Sequence, residues 1–246
     1  MRVGTETLLV LLIFALYLKD CLLLLDADEA VLVSRGGARW GAAFGARTWK
    51  IAGKEPLMVN PLRPDRAAYR LRWRMAPASI SADPGPRVDV QIPAELARVG
   101  YLAWITWFEM LVLIPAALML HLGPAVILAA AALLYLNIAV TMLAAWRWRR
   151  PLGIGSKAFA VLALECILCA PYCANLVRRL AAARCADEDF ELAAHRLLGP
   201  DELAQARAQC LARIDDQLER IDEGDVQFEA LQRARGRFLA TEAPQH

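Results

Sequence analysis

The chain has 246 residues, 58% of them hydrophobic, a mean hydropathy of +0.35 and a formal net charge of +2. Ordinary soluble domains are about 45–50% apolar, so the excess points to a bilayer, and so small a net charge gives no reason to expect nucleic acid or a strongly acidic partner. The six cysteines have no tight spacing and do not make a disulfide scaffold.

The first apolar block, TLLVLLIFALYLKDCLLLL at residues 7–25, is long enough to cross a bilayer, which takes about 20 residues. Arg2 and residues 8–18 also fit the two halves of a signal peptide, but the apolar run continues past Lys19 and Asp20, and the nearest cleavage site is poor. Residues 1–25 are therefore expected to hold a retained span. Residues 26–99 change character and are expected to form a small antiparallel β module plus a linker. AVLVSR, RTWKIAG and PLMVN read as short strands, with turns at Gly36-Gly37 and Gly53 and a stop at Asn60-Pro61. YRLRWRM sets Tyr69, Leu71, Trp73 and Met75 against Arg70, Arg72 and Arg74, which is a strand with one buried and one basic face. The basic face suits solvent, or else anionic headgroups or an acidic partner. APASISADPGPR reads as an irregular linker.

Residues 100–178 hold three further expected spans, at 101–120, 125–146 and 158–177. Only HLGP separates the first two, which predicts an antiparallel hairpin with Trp104, Trp107, Trp146 and Trp148 as an aromatic belt at one membrane face. The basic loop RWRRPLGIGSK leads into the last span. Residues 179–246 form a soluble helical tail of acidic character. DEDFELAAHRLL stops at Gly199-Pro200, and Asp201 can cap the next helix, where Leu211, Ile214, Leu218 and Ile221 make one apolar stripe. That stripe either closes a hairpin with VQFEALQRARGRFLA or meets a partner. The expected fold class is a four-span α-helical membrane bundle with a small antiparallel β module after span 1 and an acidic helical C-terminal tail.

Cations near span ends bear on orientation. With the N-terminus outside, Arg35, Arg39, Arg98, Arg147, Arg149, Arg150 and Lys157 fall inside, against Arg2, Arg178, Arg179 and Arg184 outside. The tally favours that orientation. The first span alone prefers the reverse, and an acidic tail suits the cytoplasm better, so the signals conflict. Charged groups cost about 2.5–3.5 kcal/mol at a bilayer centre and so face other helices, water or each other. Glu165, Asn175, Lys19, Asp20, Tyr172 and Arg178 form the candidate intramembrane polar site, with Lys19 as a partner for Glu165. Pro171 removes a helix donor and predicts a kink that opens a small polar pocket. The bland alternative is neutral Glu and Asn acting as interhelical glue, with Glu109, Asn137 and Thr141 in the same class. Glu109, beside the tryptophans, is expected to reach the interface.

Cys166, Cys169 and Cys173 form one helical stripe. As metal ligands they lack a convincing fourth partner, although Cys21 is conceivable, and thiolate sites usually draw their ligands from turns. As small apolar residues they suit helix–helix contacts. Cys166 and Cys169 have the spacing of a CxxC pair. In that one motif and in helix count the chain resembles the membrane thiol oxidoreductases of the disulfide-bond formation and vitamin K epoxide reductase families. The resemblance implies redox chemistry at Cys166 and Cys169, with Cys185 and Cys210 available as a second pair. His121, His195 and His246 have no ligand spacing, and no Walker loop, GxSxG or GxGxxG occurs. No metal or other cofactor is expected.

The expected role is a non-enzymatic, membrane-anchored interaction or assembly factor in the inner membrane of a bacterium. Its partners would be lipids and a protein, or a second copy, bound through the module or the tail. Two alternatives stand beside it: a thiol oxidoreductase using Cys166 and Cys169, and a small transporter or channel subunit with Glu165 and Asn175 on the path.

Overall fold

A computed structural model describes residues 4–36, 39–73, 92–150, 154–184, 189–222 and 225–240. Arg2, Gly37, Arg74, Met75, the 76–87 linker, Cys185 and His246 lie outside those residues. The chain divides into two units, one made of residues 1–23, 57–69 and 89–184, the other of 24–56, 70–88 and 185–246.

The first unit is helical. Its helix α1 (Thr5–Cys21) is followed by α2 (Ile92–Phe108), which runs through a π-helical turn (Glu109–Leu113) into α3 (Ile114–Met119). Helix α4 (Pro124–Trp148) returns against α2 and α3 as the predicted hairpin. Gly123 supplies the positive φ of +88° that the tight reversal needs, and Pro124 opens α4 where a missing N–H costs nothing. Among the described residues two helical stretches are long and apolar enough to cross a membrane: Val99–Met119, 21 residues with hydropathy 1.8, and Pro124–Trp148, 25 residues with hydropathy 2.3. They match the second and third expected spans.

The first and fourth expected spans come out differently. Helix α1 has 17 residues and stops at Cys21, where Leu22 turns extended. Leu22–Leu25 is a strand, β1, so the apolar run past Asp20 is not continued helix. Four consecutive leucines fit a buried strand as well as a helix. The fourth segment breaks into α5 (Ser156–Leu168), α6 (Ala170–Ala174) and α7 (Leu176–Arg184). Pro171 has no N–H to offer the preceding turn, and Cys169 adopts φ −136°, ψ 91°. The expected kink is a full break. Short α6 packs against α1, α2 and α5, at the centre of the unit.

This unit carries its large apolar side chains outward. Leu11, Leu128, Leu136, Leu143 and Leu168 are 58–74% exposed, while Thr106, Glu109, Asn137, Thr141, Asn175 and Arg178 are all buried. Small residues, among them Ala103, Ala117, Ala145 and Ala174, fill the helix contacts.

The second unit joins strands and helices. Strands β2 (Glu29–Gly36) and β3 (Arg39–Ala43) form an antiparallel hairpin with a bulge between Ser34 and Gly36, and β5 (Ala68–Arg72) lies on the other side of β2. Strand β4 (Glu55–Met58) pairs with β1. The alternation read in YRLRWRM holds: Tyr69, Leu71 and Trp73 are buried while Arg72 is exposed. RTWKIAG is not a strand; it keeps only an isolated bridge from Ile51 to Lys54, and β3, like β1, is a strand not anticipated.

Helices α8 (Phe190–Leu197) and α9 (Pro200–Leu218) pack on β3, and α10 (Val226–Ala240) pairs with α9. The helical hairpin is therefore closed locally, as the plainer reading expected. Gly199, not Asp201, is the N-cap of α9, and the buried face there is Ala206, Cys210, Arg213 and Ile214; of the predicted stripe Ile214 is buried, while Leu211, Leu218 and Ile221 are half-buried. The β module and the tail, separate in the sequence reading, are one folded unit.

Candidate functional site

Two adjacent arginines in the helical unit collect most of the polar residues singled out from the sequence. Arg179 donates to Asp20 Oδ1 at 2.6 Å and to Glu165 Oε2 at 2.5 Å, and its guanidinium stacks on the Tyr172 ring at 3.8 Å. Residues 165 and 179 would stand about 21 Å apart along one continuous helix, at 1.5 Å per residue. Their ion pair therefore requires the chain to double back between α5 and α7. Lys19 is exposed, and Glu165 pairs with Arg179 in its place.

Arg178, only 7% exposed, faces the other way. It donates to Asn175 Oδ1 at 2.8 Å, to Cys21 Sγ at 3.1 Å, and to the carbonyls of Asn60 at 2.5 Å and Arg63 at 2.9 Å. Tyr17 donates to the neighbouring Pro61 carbonyl at 2.5 Å. Among the described residues no carboxylate reaches Arg178. Its charge is held by oxygen dipoles and a thiol, an arrangement that fixes the loop after β4 against α7 and α1. Such a group is expensive to bury and resists substitution of any one partner.

A third cluster joins α2 and α4. Asn137 donates to Thr106 Oγ1 at 2.9 Å and to Glu109 Oε2 at 3.2 Å, while Thr141 bonds the Asn137 carbonyl at 2.7 Å. Glu109, only 4% exposed at the start of the π turn, thus points inward and does not reach the interface. This is the amide and carboxyl glue that helices use where water is absent. Of the tryptophans, Trp104 and Trp107 meet edge to face at 5.3 Å, Trp146 meets Phe159 at 5.2 Å, and Arg149 lies 3.7 Å over Trp146.

All five described cysteines are free. Cys166 and Cys173 are fully buried, on either side of the α5–α6 break, and Cys173 Sγ lies 3.9 Å from Thr106 Oγ1. Cys169 sits at the break, part exposed. Among the described residues no group of His, Cys, Asp and Glu is arranged for a metal ion.

In the second unit the charges of the basic strand are taken up. Arg70 and Arg72 both bond Glu29, Arg72 also reaches Asp26 at 3.2 Å, and Lys54 reaches Asp26 at 3.1 Å. The hydrogen bond from Lys54 holds Asp26 below the usual carboxylate range. Burial pushes Glu29 up, but hydrogen bonds from Arg70, the Asp26 amide and Arg72 outweigh it, and the net shift is downward. Deeper in, Arg213 pairs with Glu55, both buried, and donates to the Gly45 carbonyl at 2.7 Å. A Cβ on Gly45 would lie 2.4 Å from Glu55 Cβ, so only glycine permits that approach. Cys210, one turn before Arg213, is pushed up to about 12 by burial.

Sequence reasoning found Glu165, Asn175, Asp20, Tyr172 and Arg178, but not the organising Arg179, nor Cys21 and Tyr17 as partners of the Arg178 cluster. It missed Arg213 and Glu55 altogether. The available signal for Arg213 was a cation at the i+3 position from Cys210 on an otherwise small and apolar face. No family model, curated protein or solved structure matches this chain.

Proposed function

We propose that the chain is a multi-pass protein of a bacterial inner membrane that anchors a soluble interaction or assembly unit, without catalysing a reaction of its own. The observation that carries this reading is the contrast between the two units. One presents apolar side chains outward and polar ones inward, the pattern lipid imposes. The other is a mixed β and helical body whose charged helices α9 and α10 face solvent, as a docking surface requires. The Arg178, Arg179 and Asn137 clusters support a holding role, since they tie the helices and the loop after β4 together by hydrogen bonds and ion pairs. The Ala- and Arg-rich composition supports a bacterial origin.

The test is cross-linking in intact membranes followed by purification of the full chain in mild detergent. A single partner, or a second copy, recovered in stoichiometric amount supports the reading. Recovery of the chain as a monomer under cross-linking conditions contradicts it. A thiol redox reading at Cys166 and Cys169 is supported by one observation, the place of Cys169, part exposed, at the α5–α6 break. Persistence of both thiols in reduced form in cells removes it.

A further inference from the structure

We infer that residues 154–184 form a re-entrant hairpin, and that the β module and the tail both lie on the cytoplasmic face of the membrane. The inference rests on the membrane reading above and adds its topology. Three observations converge on it.

The first is the path of the chain. The β module precedes α2 and the tail follows α7, yet the two make one folded unit. The buried Arg213–Glu55 pair, the Arg213 bond to Gly45, the Arg47–Asp216 pair at 3.2 Å and the parallel backbone β-bridge of Arg72 with Asp189 all join them. A folded unit occupies one side of a bilayer, so the chain between its parts crosses an even number of times. Stretches 99–119 and 124–148 supply two crossings. A third crossing at 158–177 would separate parts that are packed together.

The second is the geometry of that segment. Helix α5 has 13 residues, about 20 Å, against a hydrocarbon core of about 30 Å. The Arg179 bridge to Glu165 and Asp20 returns α7 beside α5. The outer side of α5 is apolar: Val161, Leu164, Ile167 and Leu168 are 46–74% exposed. That surface fits the acyl chains of one leaflet. Backbone breaks at membrane depth are tolerated where protein surrounds them, and Pro171, Cys173 and Ala174 just beyond this break are buried.

The third is charge. With the hairpin re-entrant, Arg178, Arg179 and Arg184 move to the face that already carries Arg35, Arg39, Arg98, Arg147, Arg149, Arg150 and Lys157, which leaves Arg2 alone opposite. Cation bias places that face in the cytoplasm. The conflict over the acidic tail disappears, because the tail then lies in the cytoplasm, and the first span's own flanking charges are the one signal still opposed. Helix α1 reaches α3, at the far end of the hairpin, as well as α6. It therefore crosses too, with the N-terminus outside.

The test uses the full chain in cells, with single added cysteines at exposed positions and the parent chain as the control for native thiols. A membrane-impermeant maleimide is expected to label Leu122→Cys in intact cells, and Lys50→Cys and Arg220→Cys only after permeabilisation. Labelling of Lys50→Cys and Arg220→Cys from opposite sides overturns the inference, as does labelling of both in intact cells. Recovery of the chain among soluble proteins refutes instead the membrane reading on which it rests. The hairpin has its own readout. A short bis-maleimide is expected to cross-link a Glu165→Cys/Arg179→Cys pair within one chain, whereas a continuous helix keeps them too far apart.

Discussion

Arg213 illustrates how little a single residue's sequence context says about its energetic weight. It sits among helix residues that look solvated, yet it is 5% exposed and neutralises the equally buried Glu55. Removing one member of such a pair strands the other charge. Arg213→Ala is expected to cost about 3–5 kcal/mol, and the double change Arg213→Met/Glu55→Leu to recover most of it; thermal unfolding of the purified chain in detergent reads both. The pH dependence follows from Asp26, Glu29 and Cys210. Asp26 and Glu29 titrate below their ordinary range in the folded state. Their contribution is complete above the unfolded carboxylate value of about 4 and is lost as pH falls through the folded values. Cys210 has the opposite sense. Its folded value is raised from 9.0 to about 12, so its contribution is complete below the first and lost as pH climbs toward the second. Cys210→Ala is expected to flatten that alkaline decline in melting temperature; an unchanged alkaline slope contradicts the assignment.

At the scale of elements, hydropathy separates spans from non-spans only when the whole segment is helical. The hairpin of α2, α3 and α4 was legible because two long apolar runs flank HLGP. The β5 strand was legible because Tyr69, Leu71 and Trp73 alternate with cations. The fourth run failed because composition does not register direction: the same apolar residues serve one long helix or two short ones, and only the Arg179 contacts with Glu165 and Asp20 decide. Arg179 lies outside the apolar window, so no windowed measure links it to Glu165. Two substitutions probe these elements. Leu136→Arg, on the outward face of α4, is expected to lower membrane integration by about 2.5–3.5 kcal/mol, measured as the inserted fraction; on the surface of a soluble helix the same change stays within about 0.5 kcal/mol. Arg179→Met removes the tie between α5, α7 and α1 and is expected to cost about 1.5–3 kcal/mol, read as faster proteolysis at the α5–α6 break.

For the whole molecule, what the sequence concealed is that residues far apart in the chain share one folded body. The β module and the tail are separated by the helical unit and differ in composition, so each reads as independent. Their union depends on a few long-range contacts, Arg213 with Glu55 above all, and local periodicity does not register such contacts. The candidate polar site was partly legible for the converse reason, since a charge inside an apolar run is conspicuous by itself. Asp20, Glu165, Asn175 and Arg178 drew notice one by one, while their partition between two arginines depended on the fold-back. The central claim is that the outward apolar face of the helical unit meets lipid. The most direct measurement is the distribution of the full chain between pellet and supernatant when isolated membranes are washed with urea. The account predicts that the chain stays in the pellet and is released only by detergent. Release by urea alone would contradict it.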